Sequence, residues 1–175
     1  MKERSTKTSA NNAPSADGDK GAVRSAKIQF TVQSEAKMLA FGARLAALLC
    51  DGGFVAIDGQ LGAGKTVLVR GLAAALGIAH VQSPTFTLIK EYATRPPLYH
   101  FDVYRMDGEN ELYAVGYEDY LAADNALIVM EWATLVPAAL PTERLDIFIR
   151  GDGDTARTVT LTAYGNRYCD IIGAL

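Results

Sequence analysis

Residues Gly59–Thr66 read GQLGAGKT, with the spacing G-x-x-x-x-G-K-T, and this octet leaves the chain few folds to choose from. Gly59, Gly62 and Gly64 carry no Cβ, so the backbone can turn tightly and bring its N–H groups against phosphate oxygens. Lys65 would set a cation beside the β- and γ-phosphates, and the Thr66 hydroxyl is a hard oxygen donor suited to Mg²⁺. The flanks have the order the motif requires. FVAID, Phe54 to Asp58, is a short apolar run suited to a buried strand. VLVRGLAAAL, Val67 to Leu76, is rich in helix formers and is closed by Gly77. Strand, loop and helix predict a nucleoside triphosphate with its Mg²⁺, cradled by Gln60, Leu61, Gly62, Ala63, Gly64, Lys65 and Thr66. No N-K-x-D guanine-reading motif occurs, which disfavours a GTPase.

Along the rest of the chain, Lys27–Val32 alternates as a strand does, and Ser34 offers an N-cap for a helix reaching about Cys50. Thr85 to Tyr92 is rich in β-formers, and Leu98 to Tyr104 reads as a second strand. Arg95-Pro96-Pro97 between them predicts an antiparallel hairpin. Glu109–Ala123 suggests one or two short helices. ALIVME, Ala126 to Glu131, has the near-continuous apolarity of a central parallel strand. Leu145–Arg150 and Arg157–Ala163 alternate around Gly151-Asp152-Gly153-Asp154 and suggest a closing hairpin. The expected fold is α/β: a P-loop NTPase-like three-layer domain with a mixed central sheet including antiparallel strands, over residues 27–175. Residues 1–26 are polar and poor in branched apolar side chains, so they are expected to form a disordered tail.

Downstream of the loop, several residues invite a role. Glu131 ends an apolar strand, where such proteins place the acid that holds Mg²⁺; a merely solvated strand end is the plainer reading. Asp102 interrupts the apolar pair Phe101 and Val103, so it needs a partner. That is either a catalytic water or metal-bound water, or else Arg105 or a strand-end cap. Thr85 is either a γ-phosphate-sensing switch residue or an ordinary strand threonine. Trp132 is either packed or a surface for stacking a base, and His100 alone reads as a structural histidine.

Composition narrows the partners. The net charge of −3 provides no basic footprint for direct nucleic-acid binding. Cys50 and Cys169 are far apart and belong to no metal or redox motif, as expected in a reducing compartment. No apolar run approaches the roughly 18 residues that span a bilayer. These features predict a cytoplasmic protein with no membrane attachment.

GQLGAGKT, SPTF (Ser83–Phe86), HFDVYR (His100–Arg105) and EW (Glu131–Trp132) occur in that order, and the set resembles the TsaE (YjeE) family over about Ile28 to Tyr164. That family comprises small ATPases of bacterial tRNA threonylcarbamoyladenosine biosynthesis. The resemblance implies Mg²⁺-dependent binding and hydrolysis of ATP, with TsaB and TsaD as partners and tRNA reached only indirectly through their complex. It implies phosphate contacts from Gly62 to Thr66, Mg²⁺ held by Thr66 and Glu131, Asp102 and Lys65 at the catalytic centre, and a switch-like Thr85. Two positions depart from the pattern. Gln60 stands where an acid is common, and Met38 stands where a Ser or Thr near the adenine is common, with Ser34 and Glu35 as substitutes. The rival readings are a small-molecule kinase on the same fold, and a nucleotide-gated interaction module in which hydrolysis is inessential.

Overall fold

The computed structural model describes residues 23–151 and 156–175. The elements run β1 (Ser25–Val32), α1 (Glu35–Leu48), β2 (Gly53–Gly59), α2 (Lys65–Ala75), β3 (Ile89–Tyr92), β4 (Leu98–Asp102), α3 (Glu109–Ala114), α4 (Tyr117–Leu121), β5 (Leu127–Glu131), two 3₁₀ turns at Ala133–Leu135 and Pro137–Ala139, β6 (Arg144–Gly151), β7 (Arg157–Tyr164) and α5 (Asn166–Gly173). The seven strands form one sheet in the order β1-β7-β6-β2-β5-β4-β3. β6, β2, β5 and β4 run parallel, while β7, β1 and β3 add antiparallel pairings. This is the expected mixed sheet of a P-loop-like α/β fold.

Burial explains which strands alternate and which do not. On one face, α1, α2 and α5 build a core with Val55, Ile57, Leu127, Val129, Ile147 and Leu161. On the other, α3, α4 and the 3₁₀ turns cover Phe54, Ala56, Phe101, Ile128 and Met130. β5 lies under both layers, so all five of its residues are buried. β6 and β7 extend beyond the second layer, so only alternate residues are buried and Phe148 is exposed.

Ser34 caps α1 as expected, its hydroxyl accepting from the Lys37 N–H at 3.2 Å. The α1–α2 contact depends on two glycines. A Cβ on Gly71 would fall 2.3 Å from the Leu39 carbonyl oxygen, and one on Gly42 would fall 2.4 Å from that of Leu68. Gly71→Ala is therefore expected to destabilise the protein by about 2 kcal/mol, because overpacking outweighs the gain of about 1 kcal/mol in helix propensity. Urea unfolding of the variant beside wild type measures this; an unchanged or raised midpoint contradicts the tight crossing.

Beyond shifts of a residue or two at other ends, four features differ from the sequence expectation. β1 begins at Ser25, because Ser25 and Ala26 pair with Tyr164 and Ala163. The disordered-tail expectation for residues 1–26 therefore ends too late, and its first 22 residues lie outside the described ones. Thr85–Leu88 is a turn instead of strand: the N–H groups of Thr87 and Leu88 both donate to the Pro84 carbonyl, and Leu88 has φ 67°. β4 ends at Asp102, where the chain bends under the next loop. Helix α5, absent from the sequence reading, is anchored by the Tyr168 hydroxyl, which accepts from the Phe54 N–H at 2.7 Å. Among the described residues, no helix is long and apolar enough to cross a membrane.

Candidate nucleotide site

β2 delivers the chain to Gly59 at the C-terminal end of the parallel strands, where open α/β sheets bind their ligands. Gly62 has φ 76°, and a Cβ built there meets nothing within 4 Å, so the loop's concave side is open. Gly64, with φ 107°, is the N-cap of α2 and brings no side-chain cap. The first turn of α2 thus directs its amide groups and the positive end of its dipole toward the loop, as an anion site requires.

Lys65 is 5% exposed. Its Nζ donates to the carbonyls of Gly59 at 2.7 Å and Gln60 at 3.0 Å, and lies 3.5 Å from the centre of the Trp132 ring. Burial lowers its pKa below the ordinary lysine value, and the negative charges of Glu131, Asp58 and Asp102 oppose that shift. A cation with two carbonyls and a π face as its close contacts is a cation ready to receive anions.

The carboxylates reach the same cleft by strand register. Asp102 and Glu131 are paired neighbours on β4 and β5, and the residue two before Asp102 is His100. Period-two alternation therefore places His100, Asp102 and Glu131 on the α2 face, and a one-residue slip would turn all three away. Glu131 receives the Thr66 hydroxyl at 3.1 and 3.2 Å to its two oxygens, and its Oε1 is 2.9 Å from His100 Nε2. Asp102 Oδ2 accepts from the hydroxyls of Ser83 and Thr85, each at 2.5 Å, and Oδ1 accepts from the Tyr104 N–H at 3.2 Å. Of the alternatives left open for Asp102, the local cap is present, whereas Arg105 lies over the Phe86 ring at 4.4 Å. Trp132 adopts φ 64°, which lays its ring between Lys65 and Tyr104, and it borders the cleft as well as packing.

The resulting cleft has a volume of about 390 Å³ and brings together Leu61, Gly62, Gly64, Lys65, Thr66, Thr85, Asp102, Glu131 and Trp132. Gln60 contributes its carbonyl to Lys65, while its side chain is exposed. Ala63 is buried behind the loop, its carbonyl accepting from Arg157 Nε at 3.1 Å. A second pocket of about 220 Å³ opens on the other side of Gly62 and Gly64, walled by Ser34, Glu35, Met38, Val67 and Arg157. Sequence reading left out the roles of Ser83, Tyr104 and His100. The signal for His100 was its spacing of two from Asp102, which becomes informative only once the buried face is known.

Among the described residues, no three His, Cys, Asp or Glu side chains assemble into a metal cage. The adjacent Thr66 hydroxyl and Glu131 carboxylate nevertheless fit Mg²⁺, which takes one or two protein oxygens and completes its shell with water and phosphate.

Known proteins resemble this chain over most of its length. A family model described as threonylcarbamoyl adenosine biosynthesis protein TsaE matches residues 32–159. The chain is 48% identical over 125 residues to the tRNA threonylcarbamoyladenosine biosynthesis protein TsaE of Bacillus subtilis (strain 168), covering 70% of this chain and 77% of that protein. It is 36% identical over 151 residues to the protein of the same name from Haemophilus influenzae, covering 82% and 94%. Among solved structures, the crystal structure of Bacillus subtilis YdiB matches with a TM-score of 0.69 at 35% identity, covering 86% of this chain and 95% of that one. The matched stretch contains the whole cleft, from the Gly59–Thr66 loop through Ser83, His100 and Asp102 to Trp132, and on these grounds the chain belongs to the TsaE family.

Proposed function

We propose that this protein binds ATP with Mg²⁺ in the Lys65 cleft and hydrolyses it in the service of tRNA threonylcarbamoyladenosine biosynthesis, acting with TsaB and TsaD homologues. The observation that carries the reading is the convergence of a buried, phosphate-ready Lys65 with the Thr66–Glu131 pair at one helix N-terminus. The names of the relatives supply the pathway. Partnership with TsaB and TsaD, and contact with tRNA only through that complex, are part of this proposal, and membership of the family supports them.

In this reading the amide groups of Gly62–Thr66 and Lys65 bind the phosphates, and Thr66 with Glu131 would hold Mg²⁺. The ion supplies neutralisation of charge developing on the transferred phosphoryl group. Lys65 adds a preorganised positive charge from a nearly buried position. Asp102 already accepts three hydrogen bonds, so it orients the attacking water through the Thr85 hydroxyl it holds. Trp132 shields Lys65 and borders the phosphates. The pocket beside Met38, Ser34 and Glu35 adjoins the loop on the side away from Asp102 and has room for the base.

No arginine lines the Lys65 cleft among the described residues, which supports slow turnover by the protein alone. Steady-state ATP hydrolysis is expected to rise at least tenfold on adding TsaB and TsaD. Equal and fast rates with and without them would sink this part of the reading. One observation favours the interaction-module alternative: Asp102 ties down the Ser83–Thr85 loop, so nucleotide binding could act by releasing that loop, without hydrolysis.

A further inference from the structure

We infer that His100 is a positioning residue for the metal-holding carboxylate Glu131, an inference that rests on the Mg²⁺–nucleotide reading above. His100 lies in the middle of β4, fully buried, between Lys90 of β3 and Val129 of β5 in register. It does not border the cleft, so it cannot touch a nucleotide. Its Nε2 is 2.9 Å from Glu131 Oε1, and its Nδ1 has no hydrogen-bond partner.

These facts fix the proton. A neutral ring protonated at Nε2 donates to the carboxylate and leaves only an acceptor unpaired. The opposite tautomer would set the Nε2 lone pair against carboxylate oxygen and bury an unpaired N–H donor at Nδ1. Every form of the ring that carries a proton on Nε2 makes the same bond to Glu131. His100 therefore donates Nε2–H to Glu131 from the side away from the cleft.

The consequence lies in how Glu131 is held. Its other side-chain partner among the described residues is the Thr66 hydroxyl, which spans both oxygens. If that hydroxyl turns to a metal ion, the Thr66 contact no longer constrains the carboxylate. The His100 N–H is the contact that keeps Oε1 in place and leaves Oε2 directed toward the α2 side. Supporting residues of this kind commonly contribute 10–100-fold to metal affinity.

The test separates the metal from the phosphates. ADP affinity is measured in EDTA, and Mn²⁺ affinity of the ADP complex is measured by the electron paramagnetic resonance signal of free Mn²⁺. The proteins are wild type, His100→Leu, His100→Gln and His100→Asn. The amide nitrogen of Gln reaches the place of Nε2, whereas that of Asn reaches only the place of Nδ1. His100→Leu and His100→Asn are expected to weaken Mn²⁺ binding by about 10–100-fold with ADP affinity in EDTA unchanged within about twofold, and His100→Gln to recover most of the loss. Wild-type Mn²⁺ affinity in His100→Leu overturns the inference. So does a parallel loss of ADP and Mn²⁺ affinity that Gln does not rescue, which is the signature of a merely structural histidine. If a variant does not fold, nitrogen NMR of wild-type His100 decides: protonation at Nε2 supports the inference, and a ring protonated at Nδ1 alone overturns it. A wild-type ADP complex that holds no Mn²⁺ overturns the Mg²⁺ reading itself, while the NMR result still reports on the His100–Glu131 contact.

Discussion

Lys65→Met is expected to lower kcat/KM for ATP by about 10³-fold while leaving the unfolding temperature of the nucleotide-free protein unchanged or raised. The two effects have separate causes. Without nucleotide, the Lys65 ammonium is nearly buried, and the ion–dipole contacts with Gly59, Gln60 and the Trp132 face only partly replace its hydration. A thioether of similar length fills the space without that desolvation. With nucleotide, phosphate charge would stabilise the cation, so the interaction is realised mainly in the bound and reacting states. Thermal melts with and without ATP, beside initial-rate kinetics, read both outcomes. A variant that melts much lower without nucleotide would make Lys65 a structural residue first.

The pH dependence carries the same logic. Burial lowers the Lys65 pKa in the free protein, whereas bound phosphates raise it. Binding strength contributed by the charge is therefore complete below the free-protein pKa. It declines as pH rises through that value toward the higher pKa of the bound form. Affinity for metal-free ATP should begin to fall below pH 10.5, the ordinary lysine value, and Lys65→Met should lack this decline.

The sequence made the frame legible wherever local chemistry and tertiary position agree. The apolar run Leu127–Glu131 reads as a central strand because it lies under two layers, and the alternation in Arg157–Tyr164 reads as a strand with one uncovered face. Legibility failed where a partner distant in sequence decides the outcome. Thr85–Leu88 has the composition of a strand, yet the Pro84 carbonyl draws Thr87 and Leu88 into a turn, and Asp102 takes the Thr85 hydroxyl. Helix α5 is short, and its hold on the fold comes from Tyr168 reaching β2, 114 positions away. His100 belongs to the site because β4 and β5 are in a register that no local pattern records, and Ser83 because its hydroxyl meets Asp102, 19 positions on. The octet from Gly59 to Thr66 was readable because its glycines and the strand and helix that flank it are all local in sequence.

The largest remaining effect concerns Asp102, whose replacement separates catalysis from gating. Asp102→Ala removes the acceptor for the Ser83 and Thr85 hydroxyls and the Tyr104 N–H. Turnover is expected to fall by about 10²–10⁴-fold, the usual scale for a lost acid–base or water-orienting group. ADP affinity should change only a few-fold, because the phosphate contacts lie in the loop and α2. Asp102→Asn, with its carbonyl oxygen in the place of Oδ2, can still accept from both hydroxyls while its amide group cannot accept from the Tyr104 N–H, so it retains part of the loop's anchorage without the charge. If both variants lose turnover equally, the negative charge is what matters; if Asn retains most of it, holding Thr85 is the main task. Product yield with TsaB, TsaD and tRNA then distinguishes the two functional readings. An ATPase that must reset its complex predicts that Asp102→Ala supports about one modification per complex and then stalls. A nucleotide-gated module predicts full yield from a variant that binds ATP and does not cleave it, and that result would remove hydrolysis from the mechanism.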